Sequence, residues 1–287
     1  MYLPNHFQWG TQTYLMGVIN VTPDSFSGDG LGQKANIVTA ALELGTKFVK
    51  DGAHLLDIGG ESTRPGSIPI TVSEELDRVI PVIQTLAANV SVPISIDTSK
   101  SIVADAALAA GASIVNDIWG LRQDPELGNT ISKHGSAVIL MHNSSRPFDT
   151  ETNEVLGNRY TGSLHNDLLP HIRTDLENSI AMARNANIDK ENIVIDPGIG
   201  FGKSISQNKR LINELHYFTE LGYPILIGPS RKSFIGYTLN LPVEERLEGT
   251  AAAISIGIAR GADIIRVHDV KSMARVTRMT DSLVRNT

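Results

Sequence analysis

Short runs of continuous apolar residues recur along this chain and alternate with helical patterns. Continuous rather than alternating apolar residues are typical of strands that are buried on both faces, as in a parallel sheet. Eight such strands are predicted, over residues 14–20, 55–58, 93–97, 114–115, 137–141, 193–195, 224–228 and 263–267. Helical patterns lie between most of them, at about 34–50, 164–184, 207–221, 245–260 and 270–284, with one through 110 that Thr98 or Ser99 would cap. Ser73, which two glutamates follow, is predicted to cap a further helix.

Buried strands that alternate with helices in this number predict an α/β fold of the (β/α)8 TIM-barrel type. The alternative is a doubly wound open sheet. Most of the strands end at a polar side chain, and a barrel would bring these ends to one face, whereas an open sheet would scatter them. Because no linker or low-complexity segment interrupts the chain, we expect a single domain over residues 1–287, with a short N-terminal extension (about 1–12).

The composition argues against several classes of protein. The chain has no cysteine, so a disulfide framework, a thiolate metal site and a cysteine nucleophile are all excluded. A net charge of −6 without a basic block argues against a nucleic-acid partner. The N-terminus lacks the pattern of a signal peptide, and no apolar run reaches the roughly 18 residues that span a bilayer. We therefore expect a cytoplasmic protein without a membrane partner.

The segment 193–203, IVIDPGIGFGK, combines a buried strand with a glycine-rich loop. The strand ends at Asp196, since Pro197 has no N–H with which to continue the ladder. Three glycines then allow the backbone to approach a ligand closely, and Lys203 adds a cation. A Walker A loop would need a glycine at Pro197, and a dinucleotide fingerprint would need one at Lys203. The loop is therefore predicted to hold a ligand of another kind.

Two carboxylates and one amide lie at or near the ends of predicted strands: Asp97, Asn116 and Asp196. A partly buried carboxylate can accept paired N–H donors from a planar heterocycle, and an adjacent amide can bind a further edge of the ring. The alternative is that each carboxylate caps the helix that follows. That alternative applies best to Asp97, because Thr98 and Ser99 come next.

Cationic side chains follow two other strands. Lys232 comes shortly after a wholly apolar strand and is predicted to face the barrel mouth. Arg266 and His268 are two positions apart at the end of the last strand, so they share a face. Three further residues could complete a site for an anion of the size of a diphosphate: Asn20, Thr63 and Arg64. The alternatives are a solvated surface position for Lys232 and a core role for Arg266 or His268.

A metal site is indicated less clearly. Asp24, Asp29 and Glu61 could hold a metal ion, but carboxylates in loops are more often merely solvated. The histidines outside the predicted anion site show no metal-ligand spacing, and the HExxH motif does not occur.

Seven sequence blocks, which together extend over most of the chain, resemble the dihydropteroate synthases of folate biosynthesis. The blocks are MGVINVTPDSFSGDG (16–30), DIGGESTRPGS (57–67), ISIDTSK (94–100), IVNDIWG (114–120), VIDPGIGFGKS (194–204), GPSRKSFIG (228–236) and IIRVHDV (264–270). Members of this family are (β/α)8 barrels. The resemblance implies a transferase that joins 6-hydroxymethyl-7,8-dihydropterin pyrophosphate to p-aminobenzoate, with Mg²⁺ as cofactor and pyrophosphate as the second product.

The resemblance also implies a role for each residue. The pterin ring would be held by Asp97, Asn116, Asp196 and Lys232. The pyrophosphate would be bound by Asn20, Thr63, Arg64, Arg266 and His268, with Asn20 also contacting the metal. The p-aminobenzoate pocket would be formed by Thr63, Arg64, Pro65, Phe201 and Ser233. The residues implied to act in catalysis are Lys232, Asp97, Arg266 and His268, and Asp24 and Phe26 would belong to the first mobile loop.

Two alternative functions share the predicted pterin-binding barrel. A methyltetrahydrofolate–corrinoid methyltransferase would use Asp97, Asn116 and Asp196 but would have no pyrophosphate to bind. A non-catalytic pterin-binding paralogue would lack part of the catalytic set, whereas every position of that set is present here. The resemblance further implies a homodimer and competition by sulfonamides, which mimic p-aminobenzoate.

Overall fold

The computed structural model describes residues 3–22, 34–64, 66–146, 149–162 and 167–285. Its strands are β1 Tyr14–Asn20, β2 Leu55–Gly59, β3 Ile94–Asp97, β4 Ile114–Asp117, β5 Ala137–Met141, β6 Thr150–Glu151, β7 Arg159–Tyr160, β8 Ile193–Asp196, β9 Leu226–Ile227 and β10 Ile264–Val267. Short antiparallel strands β6 and β7 form a separate hairpin. The other strands form one parallel sheet in the order β8-β5-β4-β3-β2-β1-β10-β9.

The parallel sheet closes on itself. Its two outer members meet at a parallel bridge between Ile195 of β8 and Ile225, the residue before β9. The prediction of a (β/α)8 barrel is therefore confirmed, and the open-sheet alternative is wrong. Two predicted strands are shorter than expected, because only 226–227 of the seventh and 264–267 of the eighth form ladders.

The helices surround this barrel. They are α1 Lys34–Asp51, α2 Val72–Asn89, α3 Ser101–Ala109, α4 Leu127–Lys133, α5 Leu168–Asn185, α6 Ile205–Asn213, α7 Ser233–Leu239, α8 Leu247–Ala259 and α9 Val270–Val284. Short 3-10 helices cover Leu3–Asn5, Lys190–Asn192, Leu215–Leu221 and Val243–Glu245. The single helix predicted over 207–221 is thus divided into α6 and a 3-10 segment. Within the described ranges, no helix has the length and apolar character that crossing a bilayer requires.

Helix α2 is capped two residues earlier than the predicted position, Ser73. Thr71 is the N-cap: its hydroxyl accepts a hydrogen bond from the Glu74 N–H at 3.2 Å, and its own N–H donates to Glu74 Oε2 at 2.9 Å. This reciprocal pair is a capping box, which satisfies two backbone donors that the helix itself cannot use. The prediction was wrong because Thr71, with extended backbone angles (φ −69°, ψ 157°), leaves Ser73 inside the first turn.

The core has two parts, one between the strands and helices and one inside the barrel. The inner part consists largely of residues at the starts of strands, including Tyr14, Leu55 and Ile264. Leu3 and Phe7 of the N-terminal segment are buried against it. Because strand starts lie at the end of the barrel opposite the strand ends, the N-terminal segment closes the bottom and leaves the polar mouth at the top.

Candidate active site

The register of the barrel brings the polar strand ends to one rim. Asn20 pairs with Gly59, Gly59 pairs with Asp97, and Asp97 pairs with Asn116. On the other side of the rim, Met141 pairs with Asp196. Residues that are far apart in the sequence therefore lie side by side at the mouth, as closure of the sheet requires.

Arg266 joins two buried carboxylates across this mouth. Its Nε donates to Asp57 Oδ2 at 2.6 Å, and its Nη2 donates to Asp97 Oδ2 at 2.7 Å. The side-chain amide of Asn116 donates to the same Asp57 oxygen at 3.1 Å. Buried ion pairs of this kind need both partners, because either charge alone would be strongly disfavoured. The structure thus places Arg266 between carboxylates on β2 and β3.

Asp57 is a residue of this site that the sequence analysis did not select. It is fully buried, and its second oxygen, Oδ1, has no hydrogen-bond partner among the described residues. The available signal was a carboxylate inside an otherwise apolar strand, two positions before the strand's last residue. A buried carboxylate requires a cation, but the sequence does not show which of several arginines supplies it.

The pKa values of Asp97 and Arg266 are both raised, each by a different balance of burial and neighbouring charge. Burial raises the pKa of Asp97, and the negative charge of Asp57 adds to that effect, although Arg266 opposes both. Burial by itself lowers the pKa of Arg266, but the two neighbouring carboxylates outweigh it and raise the pKa. Arg266 is therefore a permanent cation, and Asp97 is a carboxylate that binds a proton more readily than an exposed one.

Asp196 and Lys232 lie on the other side of the mouth. Asp196 is buried, and its Oδ1 accepts a hydrogen bond from the Gly198 N–H at 2.7 Å. Burial raises its pKa, while the nearby charge of Lys232 opposes this shift. Lys232 donates to the carbonyl oxygen of Ile199, and its Nζ lies 4.5 Å from the centroid of the Phe201 ring. Burial lowers the pKa of Lys232 to about 8, although Asp196 favours the charged form.

His268 lies where several arginines meet. The ring atom Nδ1 of His268 is 3.1 Å from Ser230 Oγ. The backbone N–H of His268 donates to the same oxygen at 3.3 Å. Burial, followed by the charges of Arg266, Arg231 and Arg64, lowers the pKa of His268 to about 4. His268 is therefore neutral near pH 7 and lies in a positive environment that favours an anion.

Arg231 is held in a bidentate pair with one carboxylate, whereas Arg266 divides its donors between two. The Nε and Nη2 of Arg231 donate to the two oxygens of Asp269 at 2.8 and 2.6 Å. A bidentate pair of this kind has little capacity left for a ligand. Arg266 and Arg64 remain the cations that can face an anion at this part of the mouth.

The second loop extends over the same rim. Thr63 is half-buried and Arg64 is exposed, while the predicted Pro65 lies outside the described residues. Glu61, at the base of this loop, pairs with Lys100 at 2.5 Å, and Lys100 also pairs with the buried Glu75 at 2.7 Å. Glu61 is therefore a poor candidate for a metal ligand, since its carboxylate is already paired with Lys100. Asp24, Phe26 and Asp29 lie outside the described residues.

Phe201 and Ser233, which are also predicted to bind p-aminobenzoate, lie outside the second loop. Phe201 is half-buried and packs beside the Lys232 ammonium. Ser233 is the first residue of α7, directly after Lys232, and is also half-buried. The structure therefore brings both residues to the part of the mouth that contains Lys232.

Oxygen donors near Asn20 suit a hard divalent cation. A Cβ built on Gly59 would lie 3.7 Å from Asn20 Oδ1 and 3.9 Å from Asp97 Oδ2, so both oxygens face the space above Gly59. Mg²⁺ prefers oxygen ligands and is usually bound by one or two protein groups together with substrate phosphates. Asn20 Oδ1 fits such an ion as a single protein ligand, whereas Asp97 Oδ2 already accepts a hydrogen bond from Arg266.

Comparisons with known proteins agree with this geometry. The sequence pattern of the family described as pterin binding enzyme matches residues 16–268. The chain is 46% identical to dihydropteroate synthase of Bacillus subtilis, over 98% of this chain and 92% of that protein.

Solved structures give the same result. Dihydropteroate synthase from Clostridium difficile, solved in the presence of pteroic acid, has a TM-score of 0.87 and 43% identity, with 98% of this chain and 100% of that one covered. The Xanthomonas albilineans dihydropteroate synthase with 4-aminobenzoic acid has a TM-score of 0.86 and 40% identity, with 96% and 94% covered. The chain therefore belongs to the pterin binding enzymes, among the dihydropteroate synthases.

Proposed function

We propose that this chain condenses 6-hydroxymethyl-7,8-dihydropterin pyrophosphate with p-aminobenzoate to give 7,8-dihydropteroate and pyrophosphate. The observation that carries this proposal is the division of one barrel mouth into two parts. Buried carboxylate and amide groups line one part, and Arg266, His268 and Arg64 surround the other. Such a mouth suits a substrate with a flat, hydrogen-bonding ring at one end and a polyanion at the other.

The pterin ring would occupy the part lined by Asp97, Asn116, Asp196 and Lys232. An ionised carboxylate can accept two parallel N–H bonds from the amino-pyrimidine edge of a pterin, much as it does from a guanidinium group. Lys232 lies close enough to Asp196 for their charges to interact, so it can donate to ring acceptors beside that carboxylate. Asn116 offers both a donor and an acceptor.

The pyrophosphate would bind where Arg266, His268, Asn20, Thr63 and Arg64 meet. Arg266 is held between Asp57 and Asp97, so a phosphate oxygen would share a guanidinium that these carboxylates orient. Preorganised cations of this kind stabilise developing negative charge without a reorganisation cost. Asn20, with oxygen donors beside it, is the residue proposed to hold Mg²⁺, which when bound supplies further neutralisation of the pyrophosphate charge.

The reaction is a substitution at the methylene carbon of the pterin. The lone pair of the p-aminobenzoate nitrogen forms the new C–N bond, the C–O bond breaks, and its electron pair leaves with pyrophosphate. The nitrogen then loses a proton to solvent. Because an arylamine is neutral and nucleophilic near pH 7, no dedicated general base is required. The protein contributes mainly orientation of the two substrates and stabilisation of the leaving group.

The p-aminobenzoate site is proposed to lie beside Lys232, formed by Phe201 and Ser233 on one side and by Thr63, Arg64 and Pro65 on the other. Phe201 offers an aromatic face for the benzoate ring. Sulfonamides, which share the shape of p-aminobenzoate, should compete for this position. We further propose that the chain acts as one domain in the cytoplasm.

A homodimer is proposed as the assembly. Helices α8 and α9 pack against each other and carry large apolar side chains that are exposed, Ile256, Met279 and Leu283. Apolar residues that lie on neighbouring helices and face solvent are typical of subunit contacts. Light scattering after size-exclusion chromatography would give the mass of one chain if this assembly does not form.

Two other functions are less well supported. A corrinoid methyltransferase transfers no pyrophosphate and would have no use for the cations around His268. A non-catalytic pterin-binding paralogue would bind the ring but release no product. Mass spectrometry of a mixture with both substrates separates these cases: dihydropteroate should form with Mg²⁺ and should fall strongly when the metal is chelated. A protein that binds the pterin yet forms no dihydropteroate would contradict the proposal.

The two parts of the mouth can be tested separately by substitution. Asp196→Ala should weaken pterin binding by about 100-fold, since a charge-assisted bidentate contact contributes about 1.5–3 kcal/mol. Arg266→Ala should instead weaken pyrophosphate binding by a similar factor. Isothermal titration calorimetry with each ligand alone gives both affinities, and Lys209→Met on the exposed face of α6 is the control.

The result that would contradict this assignment is an exchange of the two losses. Because Arg266→Ala leaves Asp57 and Asp97 without their cation, thermal melting must show that the variant is folded. If it is not, Arg266→Lys keeps the charge and loses the fork geometry, so its pyrophosphate affinity answers the same question.

A further inference from the structure

The glycine-rich loop after Asp196 lies between two other parts of the chain. On one side it contacts the segment after β5, so that a Cβ on Gly198 would overlap the His142 carbonyl oxygen. On the other side, a Cβ on Gly200 would lie 2.7 Å from Lys232 Cδ. Both glycines have positive φ values, 73° and 89°. Neither position could carry a side chain without displacing these neighbours, so the loop packs closely between the two segments.

Lys203 binds this loop at the Gly198 end, where the loop contacts the segment after β5. It is 2% exposed, and its Nζ donates to the carbonyl oxygens of Gly198 at 2.7 Å and Phe201 at 3.0 Å. Its remaining contact is His142 Nδ1, at 3.0 Å. An amine buried to this extent is costly unless its donors are all used, and here each has an acceptor. Neither the proposed reaction nor the proposed substrate contacts assign this lysine a role.

His142 fixes the position of the Lys203 amine. The His142 N–H donates to the Asp196 carbonyl oxygen at 2.9 Å, which ties its backbone to β8, and the side chain is fully buried. On the far side of the ring, Nε2 lies 3.5 Å from Asp175 Oδ2, and Arg122 Nη1 lies 3.2 Å from the same oxygen. Nε2 forms no hydrogen bond among the described residues, so burial and the Nδ1 contact with Lys203 hold the orientation of the ring.

The same cluster has the residue types of a zinc site. One ligand atom each from His142, His171 and Asp175 lies within 4.8 Å of the others. However, Arg122 and Lys203 contact two of these three side chains directly. Arg122 already pairs with the one carboxylate, and the Lys203 amine, whose pKa burial lowers to about 7, lies against the imidazole; both oppose the entry of a divalent ion. The cluster is therefore better explained as support for Lys203.

We propose that Lys203, oriented by His142, is a positioning residue that holds the Phe201 end of the glycine-rich loop against Lys232 and so shapes the arylamine site. The inference rests on the proposed function for the identity of the arylamine. Lys203 holds the Phe201 carbonyl, Lys232 holds the Ile199 carbonyl, and the Phe201 ring lies 4.5 Å from Lys232 Nζ. Loss of the Lys203 contacts would release Phe201, whereas Asp196, Asp97 and Asn116 would keep the strand pairings that place them.

The test compares two lysines of one segment. Lys203→Met keeps the length of the side chain and removes the amine, and Lys209→Met on the exposed face of α6 is the matched control. For Lys203→Met we expect the KM for p-aminobenzoate to rise about tenfold, because one or two hydrogen bonds are lost. Pterin affinity should stay within about threefold of the original. A purely structural role would lower pterin affinity and kcat together, and that result would overturn the inference, as would an unchanged KM.

Substitution of the histidine gives an independent measurement. His142→Asn places an amide oxygen near the position of Nδ1 and should keep the KM for p-aminobenzoate within about threefold, whereas His142→Leu should raise it as Lys203→Met does. If Lys203→Met does not fold, the comparison is made with the two His142 variants. Equal KM values for Asn and Leu at this position would refute the role of the histidine.

A double-mutant cycle tests whether Lys203 acts through Phe201. In the Phe201→Ala background, Lys203→Met should change the KM for p-aminobenzoate by less than about twofold, because coupled residues are not additive. Fully additive effects would show that the lysine acts by another route. If the unsubstituted protein forms no dihydropteroate, the proposed function fails, and that outcome is distinct from every result above.

Discussion

His268 shows how a single residue is adapted to bind an anion. Its imidazole lies among Arg266, Arg231 and Arg64, and burial together with these charges lowers its pKa to about 4. A neutral imidazole can donate one hydrogen bond without adding a further charge to this crowded site. Once an anion binds, the positive charges are compensated, and the cost of protonating the ring falls.

This arrangement predicts that His268 takes up protons when pyrophosphate binds. The pKa should rise from about 4 in the free protein, so near pH 6 the complex holds more protons than the separate partners, and affinity should increase as the pH falls toward 6. Calorimetry in two buffers of different ionisation enthalpy measures the number of protons. His268→Gln should reduce this number by up to about one, and the ligand's own titration cancels in the difference. The same uptake by both proteins would contradict the prediction.

At the scale of single residues, sequence reasoning was most successful where a strand simply stops. Asp97, Asp196 and Arg266 lie at strand ends, and barrel closure alone brings such ends together. Asp57, His142 and Lys203 were not recognised as a supporting set. Their importance depends on pairings between residues up to 209 positions apart, which neither periodicity nor spacing encodes.

At the scale of elements, helix α2 shows how a cap depends on backbone geometry as well as residue type. Thr71 and Ser73 are both good cap residues, yet only Thr71 forms the reciprocal bonds with Glu74. The short helices α4 and α7 escaped prediction because seven residues, fewer than two turns, carry too little periodicity. The long, strongly periodic helices α1 and α9 were predicted to within one residue of their ends.

The cap of α2 can be tested with a matched pair of substitutions. Thr71→Ala should lower the free energy of unfolding by about 1 kcal/mol, since the Glu74 backbone N–H loses its acceptor, while the Thr71 backbone N–H keeps Glu74 Oε2. Ser73→Ala, two residues further inside the helix and equally exposed, should change it by less than about 0.5 kcal/mol. Urea unfolding midpoints decide between the two sites, and a larger loss at Ser73 would show that the helix begins later.

On the scale of the whole molecule, the N-terminal segment completes the barrel interior. The Phe7 ring stacks on Trp9 with centroids 5.3 Å apart and meets the edge of Tyr14 at 4.7 Å. The N–H of Leu3 donates to Asn192 Oδ1 at 3.1 Å, close to the start of β8. This segment was predicted only as an extension, because its two aromatic residues do not reveal which end of a barrel they cover.

Removing this aromatic contact should affect stability and leave the chemistry unchanged. Phe7→Ala is expected to cost about 3–5 kcal/mol of unfolding free energy, as for other buried aromatic truncations. The control is Gln8→Ala, since Gln8 is exposed. Thermal melting gives the stability, and kcat measured well below the melting temperature should match the unsubstituted protein. A fall in kcat without a fall in melting temperature would place the segment in the active site instead.

The closure of the barrel rests on its least extensive junction. Within the ranges that the structure describes, the strand pairing of β8 with the chain before β9 is the single bridge between Ile195 and Ile225, whereas the other neighbours share ladders. Asp196 ends one side of this junction, and Lys232 follows the other. A ring bound to both would join the two sides from above, and free energy of binding adds directly to resistance against unfolding. The melting temperature of the protein should then rise with the concentration of pterin, even when no p-aminobenzoate is present and no product forms.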